Sequence, residues 1–346
     1  MTRDRLVRAL RGEATDTTPI WLMRQAGRHL PGYRALRAAH PILEIARTPE
    51  LAAEVTLEPL RHYDVDAAVV FADISLPFLG LGVPFSIDPG LGPVVARPIR
   101  SRADVEALTD FDARRSVPFV GRAIERFRER ETERPIVGFA GGPFTLAAYL
   151  IEGGPSREYV ETKRLLYTDP GTFDRLIRRL ATATIDYLRM QAESGAAALQ
   201  LFDTWVGAVS PRVFEEHLLA PIRSIFDALR PLGRPTIYFS TGSSHLVEQL
   251  ARTGADALGV DWREPLGRVR ARVGPALALQ GNLDPGVLLG DAAAVRREAD
   301  RVMAEIPDGR AHVFNLGHGV LPATDPARVR ELVEHVHAAG RDRSRR

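Results

Sequence analysis

Eight short apolar runs, each closed by a polar residue or a glycine, constrain the fold of this 346-residue chain more than any other feature. In chain order they occupy residues 18–24, 67–73, 135–142, 197–203, 236–240, 257–261, 276–282 and 312–318. Longer Arg- and Glu-rich segments with helical spacing separate the runs. Because buried parallel strands form nearly continuous apolar runs, eight strand–helix repeats predict an α/β fold, the (β/α)8 or TIM barrel.

The ends of these runs indicate where a functional site would lie. In such a barrel the carboxyl end of every strand faces the active site. The polar residues at the run ends are therefore the first candidates for that site: Arg24, Asp73, Asp203, Ser240, Asp261, Asn282 and His318.

A single domain spanning residues 1–340 is expected, because barrels with long loops reach this length and no linker divides the chain. The basic run 341–346 is interpreted as a disordered tail, and nucleic acid is not expected as a partner because the formal net charge is only +2. No apolar stretch approaches the ~20 residues that span a bilayer, and no secretory signal pattern is present. We therefore expect a cytoplasmic protein without a membrane partner.

Two residue types exclude whole classes of chemistry. The chain has no cysteine, which excludes disulfides, thiolate nucleophiles and cysteine-containing zinc sites. Lys163 is the only lysine, and its exposed helical context does not suit a Schiff base, which needs a dry pocket. No histidine pair or carboxylate cluster has metal-ligand spacing. The sequence therefore predicts no metal site and disfavours pyridoxal phosphate.

Local signals place the elements around the runs. Pro31 and Gly32 are expected to prevent a long helix in the loop 25–34, and Gly27 would let the backbone approach a ligand. Residues 77–100 are predicted to form a loop with a small hairpin, and residues 101–134 to be helical. Three helices are expected to begin at a capping residue followed by proline: Thr48-Pro49, Ser210-Pro211 and the segment 324–326.

Arg24 and Arg28 stand at the end of the first run and in the loop that follows it. Two guanidinium groups there could hold carboxylates or phosphates by paired hydrogen bonds, each contributing roughly 1.5–3 kcal/mol. The alternative is an exposed loop in an arginine-rich protein. Spacing alone does not decide between the two.

Asp73 closes the second run. A carboxylate there could stabilise positive charge or accept N–H groups of a ligand, or it could cap a following helix. Pro77 and the irregular stretch beyond it leave little helix to cap, which favours the functional interpretation.

His318 lies between Gly317 and Gly319 at the end of the eighth run. It could donate a hydrogen bond to a carboxylate or titrate near neutrality, and its glycine neighbours suggest that a bulky group approaches it. A structural histidine is the alternative.

Two weaker signals follow the third and fourth runs. The turn 141–144 could seat an anion at a helix start near Tyr149, and Thr204 could either bind a ligand through its hydroxyl or complete a turn.

Seven segments, in order along nearly the whole chain, resemble the uroporphyrinogen decarboxylase family. The two longest are Pro19–Pro31 and Gly138–Gly153. The shorter ones are Phe71–Ile74, Leu201–Trp205, Leu258–Trp262, Gln280–Pro285 and Asn315–Gly319.

The resemblance implies a (β/α)8 fold, a homodimer with facing clefts, and cofactor-free removal of carbon dioxide from the four acetates of uroporphyrinogen III to give coproporphyrinogen III. It assigns catalysis to Asp73 and Arg24. It assigns substrate binding to Arg24, Gln25, Ala26, Gly27, Arg28, Asp73, Tyr149, Thr204 and His318. The proton donor stays open among Arg24, Arg28, Tyr149, His318 and a bound water.

Two rival functions are less well supported. A cobalamin-linked methyltransferase of the same superfamily would activate a thiol on a zinc site built with cysteines, which this chain lacks. A non-catalytic tetrapyrrole carrier would not need Asp73, Tyr149 and His318 together.

Overall fold

The computed structural model describes residues 4–88 and 90–344, with side chains described up to Arg341. Its strands are β1 Ala68–Val69, β2 Phe85–Asp88, β3 Gly92–Val95, β4 Ile136–Gly141, β5 Ala198–Phe202, β6 Thr236–Phe239, β7 Ala257–Gly259, β8 Ala278–Leu283 and β9 His312–Leu316. Its first eight α-helices are α1 Arg5–Leu10, α2 Pro31–Ala39, α3 Ile42–Arg47, α4 Pro49–His62, α5 Pro77–Gly80, α6 Arg102–Glu106, α7 Ala113–Ser116 and α8 Pro118–Arg130.

Helices also follow each later strand of the sheet. They are α9 Pro143–Glu152, α10 Val160–Thr168, α11 Pro170–Glu193, α12 Pro211–Val213, α13 Leu219–Leu229, α14 Val247–Ala251, α15 Leu266–Val273, α16 Ala292–Ala304 and α17 Pro326–Ser344. Short 3-10 turns cover Val206–Ala208, Arg230–Leu232, Ser244–Leu246 and Pro285–Leu289, and a π-helical turn covers Phe214–Leu218. No helix in the described part of the chain is long and apolar enough to cross a bilayer.

Seven strands form one parallel sheet among the described residues, in the order β1-β4-β5-β6-β7-β8-β9. Each of the last seven apolar runs contains one of these strands to within one residue at the strand end, which confirms their predicted positions. The separate antiparallel pair β2–β3 confirms the hairpin predicted within residues 77–100. Strands β4, β8 and β9 are buried at every residue, which explains their continuous apolar sequence.

The first run differs from the prediction. It makes one bridge, between Ile20 and Phe314 of β9, and contains no strand. The Phe314 N–H donates to the Pro19 carbonyl at 2.8 Å, and the Asp66 N–H donates to the Ile20 carbonyl at 2.8 Å. The run therefore lies between the two edges of the sheet, but the eighth strand and the closed barrel are not found among the described residues.

Side chains take the place of strand pairing in the first run. Three side-chain oxygens accept its backbone N–H groups: Asp66 Oδ2 from Ile20 (2.8 Å), Gln25 Oε1 from Leu22 (3.0 Å) and Asn315 Oδ1 from Met23 (3.0 Å). Pro19 has no N–H to offer. Because these donors are taken, a regular ladder cannot form along the run.

Two predicted elements need correction. Pro31 begins α2 instead of preventing a helix, because proline suits the first helical position, where its missing N–H is not needed. Helix α17 continues to Ser344, so residues 341–344 of the basic tail are helical; residues 345 and 346 lie outside the described residues.

The predicted helix starts are otherwise confirmed. Helix α17 begins at Pro326, and the helical region 101–134 contains α6, α7 and α8. The Ser210 hydroxyl accepts the Val213 N–H at 3.3 Å, as expected of a cap. The helix after Thr48 forms as predicted, although its hydroxyl donates back to Glu44 at 2.9 Å and caps nothing.

Asp66→Ala should lower the free energy of unfolding by about 3–5 kcal/mol, because it removes a fully buried carboxylate with three partners. These partners are Arg5 Nη1 at 3.0 Å, the Ile20 N–H at 2.8 Å and His337 Nε2 at 2.8 Å. Asp16→Ala is the matched control, because Asp16 is an exposed partner of the same Arg5 and should cost at most about 1 kcal/mol. Urea unfolding measures both, and equal losses would contradict the assignment.

Candidate active site

A cavity of about 580 Å³ opens at the carboxyl end of the parallel sheet. Its walls come from the first run and the loop after it, from residues 69–74, from the hairpin β2–β3 and from the ends of β4, β5 and β6. Eight of the nine substrate-binding residues assigned from sequence line it: Arg24, Ala26, Gly27, Arg28, Asp73, Tyr149, Thr204 and His318.

Gln25 is the assigned residue that does not line the cavity. Its side chain is fully buried; Oε1 accepts the Leu22 N–H at 3.0 Å, and Nε2 donates to the Ala67 carbonyl at 2.9 Å. Gln25 therefore fixes the loop that carries Arg24 and Arg28, and direct contact of its side chain with a ligand in this cavity is not supported.

Four polar run ends are also absent from the cavity wall: Asp203, Ser240, Asp261 and Asn282. All four are buried. Each is hydrogen-bonded to a neighbouring segment: Asp203 to Thr145 of α9, Ser240 to Ser243, Asp261 to the Gly242 N–H, and Asn282 to the Asp261 and Glu264 carbonyls. A strand-end position alone does not show whether a side chain faces the cavity or the next loop.

Arg24 adopts an unusual backbone conformation, with φ at 58°. For a residue other than glycine this left-handed conformation costs of order 1–3 kcal/mol. Two nearby glycines, which also line the cavity, make room for Arg24. A Cβ at Gly319 would overlap the aliphatic part of the Arg24 side chain, and a Cβ at Gly27 would lie 2.7 Å from the Arg24 carbonyl oxygen.

The Arg24 side chain is exposed, and its guanidinium makes no hydrogen bond or ion pair with the described residues. Arg28 is exposed in the same wall, and Arg37 of α2 adds a third guanidinium at the cavity. A cavity with three arginines suits a ligand that carries several carboxylates.

Asp73 has one engaged oxygen and one available oxygen. Oδ1 accepts the N–H of Ser75 at 2.9 Å and its hydroxyl at 2.5 Å. Oδ2 accepts no hydrogen bond from the described residues. The alternative weighed from sequence, a helix cap, is not supported, because α5 begins at Pro77 without a side-chain cap and Asp73 binds Ser75 in the turn before it. The turn fixes the side chain, and the second oxygen stays free to accept N–H groups of a ligand.

His318 and Tyr149 are neutral at pH 7. Burial, assisted by the charges of Arg24 and Arg263, lowers the pKa of His318 to about 4, which favours the hydrogen-bonding role over titration near neutrality. Burial and the negative charge of Asp73 raise the pKa of Tyr149 above its ordinary range. Both side chains are therefore uncharged hydrogen-bonding groups.

An aromatic wall was missed by the sequence reasoning. It comprises Trp21, Phe71, Phe139, Phe202, Trp205 and Phe239. The Phe202 ring packs edge-on against Phe139 and Phe239, with centroids 5.4 and 5.5 Å apart. In the sequence these residues lie within or just after the apolar runs and are indistinguishable from core. Aromatic rings beside three arginines suit a large ligand with an apolar body and acidic arms.

His318→Asn should make the protein less sensitive to acid. Because the folded pKa of His318, about 4, lies below the unfolded value of about 6.5, the unfolded chain binds more protons between these pH values. Wild-type stability should therefore fall as the pH drops through this window. Between pH 7 and pH 5 this group contributes a loss of about 2 kcal/mol, which the variant should not show. Urea unfolding at both pH values tests this; equal losses in both proteins would contradict it.

Comparison with known proteins identifies the family. The family model for uroporphyrinogen decarboxylase matches residues 1–339. Curated relatives named uroporphyrinogen decarboxylase include those of Thermobifida fusca (48% identity; 96% of this chain and 91% of the relative), Streptomyces coelicolor (48%; 96% and 93%) and Thermus thermophilus (45%; 96% and 97%).

Among solved structures, a methyltransferase from Methanosarcina mazei superposes with a TM-score of 0.80 at 20% identity, covering 98% of both chains. At that identity the likeness concerns the fold alone. Among the side chains that the structure describes, no group of three or more His, Asp or Glu residues is placed to hold a metal ion. The match over residues 1–339 and identities of 45–48% settle the assignment: the chain belongs to the uroporphyrinogen decarboxylase family.

Proposed function

We propose that this chain decarboxylates uroporphyrinogen III, converting its four acetate arms to methyl groups and releasing coproporphyrinogen III. The observation that carries the proposal is the free Oδ2 of Asp73 in a cavity that also presents Arg24, Arg28 and aromatic rings. The substrate matches this arrangement, since it is a flexible macrocycle with eight carboxylates at its edge and four pyrrole N–H groups at its centre.

The negative charge of Asp73 and the positive charges of the arginines bind different parts of the substrate. Oδ2 of Asp73 accepts the pyrrole N–H groups at the centre of the macrocycle. Arg24 and Arg28 hold acetates by paired, charge-assisted hydrogen bonds. Thr204, Tyr149 and His318 line the same cavity and contribute neutral hydrogen bonds to the remaining polar groups. Ala26 and Gly27 supply the loop surface between the two arginines.

The reaction consumes one proton for each carbon dioxide released. Protonation of a ring carbon beside the acetate makes the pyrrole cationic. The electrons of the bond to the carboxylate then move into the ring as carbon dioxide leaves. A proton adds to the resulting methylene carbon, and the ring carbon loses its proton. Asp73 stabilises the cationic ring throughout, as a preorganised charge whose position is fixed by Ser75.

The pKa shifts of His318 and Tyr149 indicate which group can donate the proton. A general acid works best when its pKa lies near the working pH. The pKa of His318, at about 4, is too low for it to carry an acidic proton at pH 7, and burial moves the pKa of Tyr149 upward, away from neutrality. Arginine side chains are weaker acids still. We therefore propose that the proton comes from the solvent and that a water molecule beside Arg24 relays it to the ring without being the acid itself.

We also propose that the first run completes a (β/α)8 barrel as a single domain, and that two cytoplasmic copies associate with their cavities facing. The position of the run between β9 and the segment before β1 supports the barrel. The association of two copies is proposed from the resemblance to the family; Leu91, 66% exposed at the hairpin that forms one cavity wall, would be buried if that rim lies against the second copy.

Anaerobic incubation with uroporphyrinogen III tests the activity. We expect porphyrinogens with seven, six, five and four carboxylates in turn, and four carbon dioxides per macrocycle, without added metal or cofactor. Tight binding without release of carbon dioxide would instead support a carrier. The methyltransferase alternative is not favoured, because the M. mazei protein shares 20% identity against 45–48% for the decarboxylases.

Arg24→Lys should lower kcat/KM for uroporphyrinogen by about 10- to 100-fold. Lysine keeps the positive charge but loses the two-point geometry, which removes one charge-assisted hydrogen bond worth about 1.5–3 kcal/mol. Arg34→Lys is the matched control, because Arg34 is exposed on α2 and does not line the cavity. Steady-state kinetics measure both, and an Arg24→Lys enzyme with wild-type kcat/KM would contradict the assigned contact.

Asp73→Asn should lower kcat by about 10²–10³-fold, the usual cost of removing a preorganised electrostatic contact. Asparagine keeps an oxygen for the two hydrogen bonds from Ser75, so the turn and the melting temperature should change little. Single-turnover release of carbon dioxide together with a thermal melt measures the effect. Full turnover by this variant would refute the role given to Asp73.

A further inference from the structure

Asp203 is a run-end carboxylate that the proposed reaction does not use. It is fully buried at the end of β5. Its Oδ1 accepts the N–H and the hydroxyl of Thr145, both at 2.8 Å, and its Oδ2 accepts the Tyr238 hydroxyl at 3.0 Å. Thr145 lies in the first turn of α9, so the carboxylate holds the start of that helix against β5.

Thr145 also connects this carboxylate to Trp205. The backbone N–H of Trp205 donates to the Thr145 hydroxyl oxygen at 3.1 Å. On the other side, the preceding Thr204 carbonyl accepts the N–H and the hydroxyl of Thr241, at 3.2 and 2.8 Å. The segment 203–205 is therefore fixed from two directions.

The indole of Trp205 lies against Tyr149, a substrate contact carried by α9. The ring centroids are 4.2 Å apart with a 34° interplanar angle, and Tyr159 packs on the same indole at 5.6 Å. Both Trp205 and Tyr149 line the cavity that contains Asp73. A ring held this closely cannot swing freely, so the indole sets where the Tyr149 hydroxyl lies.

We propose that Trp205 is a positioning residue for the decarboxylation. Its indole holds the Tyr149 ring in the cavity beside Asp73, and the Asp203–Thr145 pair holds Trp205. This inference rests on the proposed function, because it assigns Trp205 a role in the chemistry of the same cavity. The position of the Tyr149 ring should depend on Trp205 whether or not the enzyme turns over.

The kinetic test is a double-mutant cycle between Trp205→Leu and Tyr149→Phe. Trp205→Leu should lower kcat about tenfold, because a displacement near 1 Å at a substrate contact has effects of that order or larger. Trp205→Phe should restore most of the rate by keeping an aromatic ring. With Phe at 149 there is no hydroxyl to position, so Trp205→Leu should then have little further effect.

Trp262→Leu is the control for the cycle. It also removes an indole, but Trp262 does not line the cavity and stacks on Arg263. In the double variant, the fold-losses in kcat caused by Trp262→Leu and by Tyr149→Phe should therefore multiply. If the fold-losses of Trp205→Leu and Tyr149→Phe also multiply, the proposal is overturned, and direct substrate contact or general packing explains the effect of Trp205.

If Trp205→Leu does not fold, Thr145→Val, which removes the hydroxyl that links Asp203 to Trp205, takes its place in the cycle.

A measurement without substrate separates this inference from the proposed function. In protein labelled with 3-fluorotyrosine, the resonance assigned to Tyr149 by the Tyr149→Phe variant should shift or broaden in Trp205→Leu and recover in Trp205→Phe. An unchanged resonance would overturn the inference even if the enzyme is active. If the wild-type chain releases no carbon dioxide, the proposed function fails, and this resonance alone decides whether Trp205 holds Tyr149.

Discussion

The geometry of the cavity depends on how the first apolar run is held between the two edges of the sheet. Three of its backbone N–H groups donate to side-chain oxygens of Asp66, Gln25 and Asn315, where a regular strand would use a neighbouring backbone. Because strand pairing ends early, the chain can leave extended geometry and place Arg24 at a positive φ. The hydrogen bonds from these buried side chains therefore stabilise the left-handed backbone at Arg24, which presents the guanidinium to the cavity.

Asp73 and Arg24 are held in the site in the same way. Asp73 uses one oxygen to bind Ser75 and keeps the other available, and Arg24 packs its aliphatic part on Gly319 while its guanidinium stays unengaged among the described residues. Each group is thus fixed by atoms that take no part in ligand recognition. Groups fixed in this way need no reorganisation when a ligand arrives, which is the condition for electrostatic stabilisation of a transient cation.

Seven of the eight strand positions could be predicted, because a strand buried on both faces has a continuous apolar sequence. The first run has the same sequence pattern but not the same structure. Two of its three side-chain acceptors, Asp66 and Asn315, lie 46 and 292 residues further along the chain than the residues they bind, and so leave no local signal. The strand-end rule likewise found Asp73 and His318, which line the cavity, together with Asp203, whose side chain turns toward α9. The direction of a side chain at a strand end depends on the loops above it, which the pattern along one chain does not contain.

The neutral state of His318 is a consequence of the site and not an independent feature. Arg24, the group proposed to hold an acetate, is also one of the charges that lower the pKa of His318. An acetate bound to Arg24 offsets only this smaller contribution, because burial is the largest cause of the lowered pKa of His318. A macrocycle that fills the cavity shields the imidazole further from water, so His318 remains a neutral hydrogen-bonding group in both the empty and the filled site.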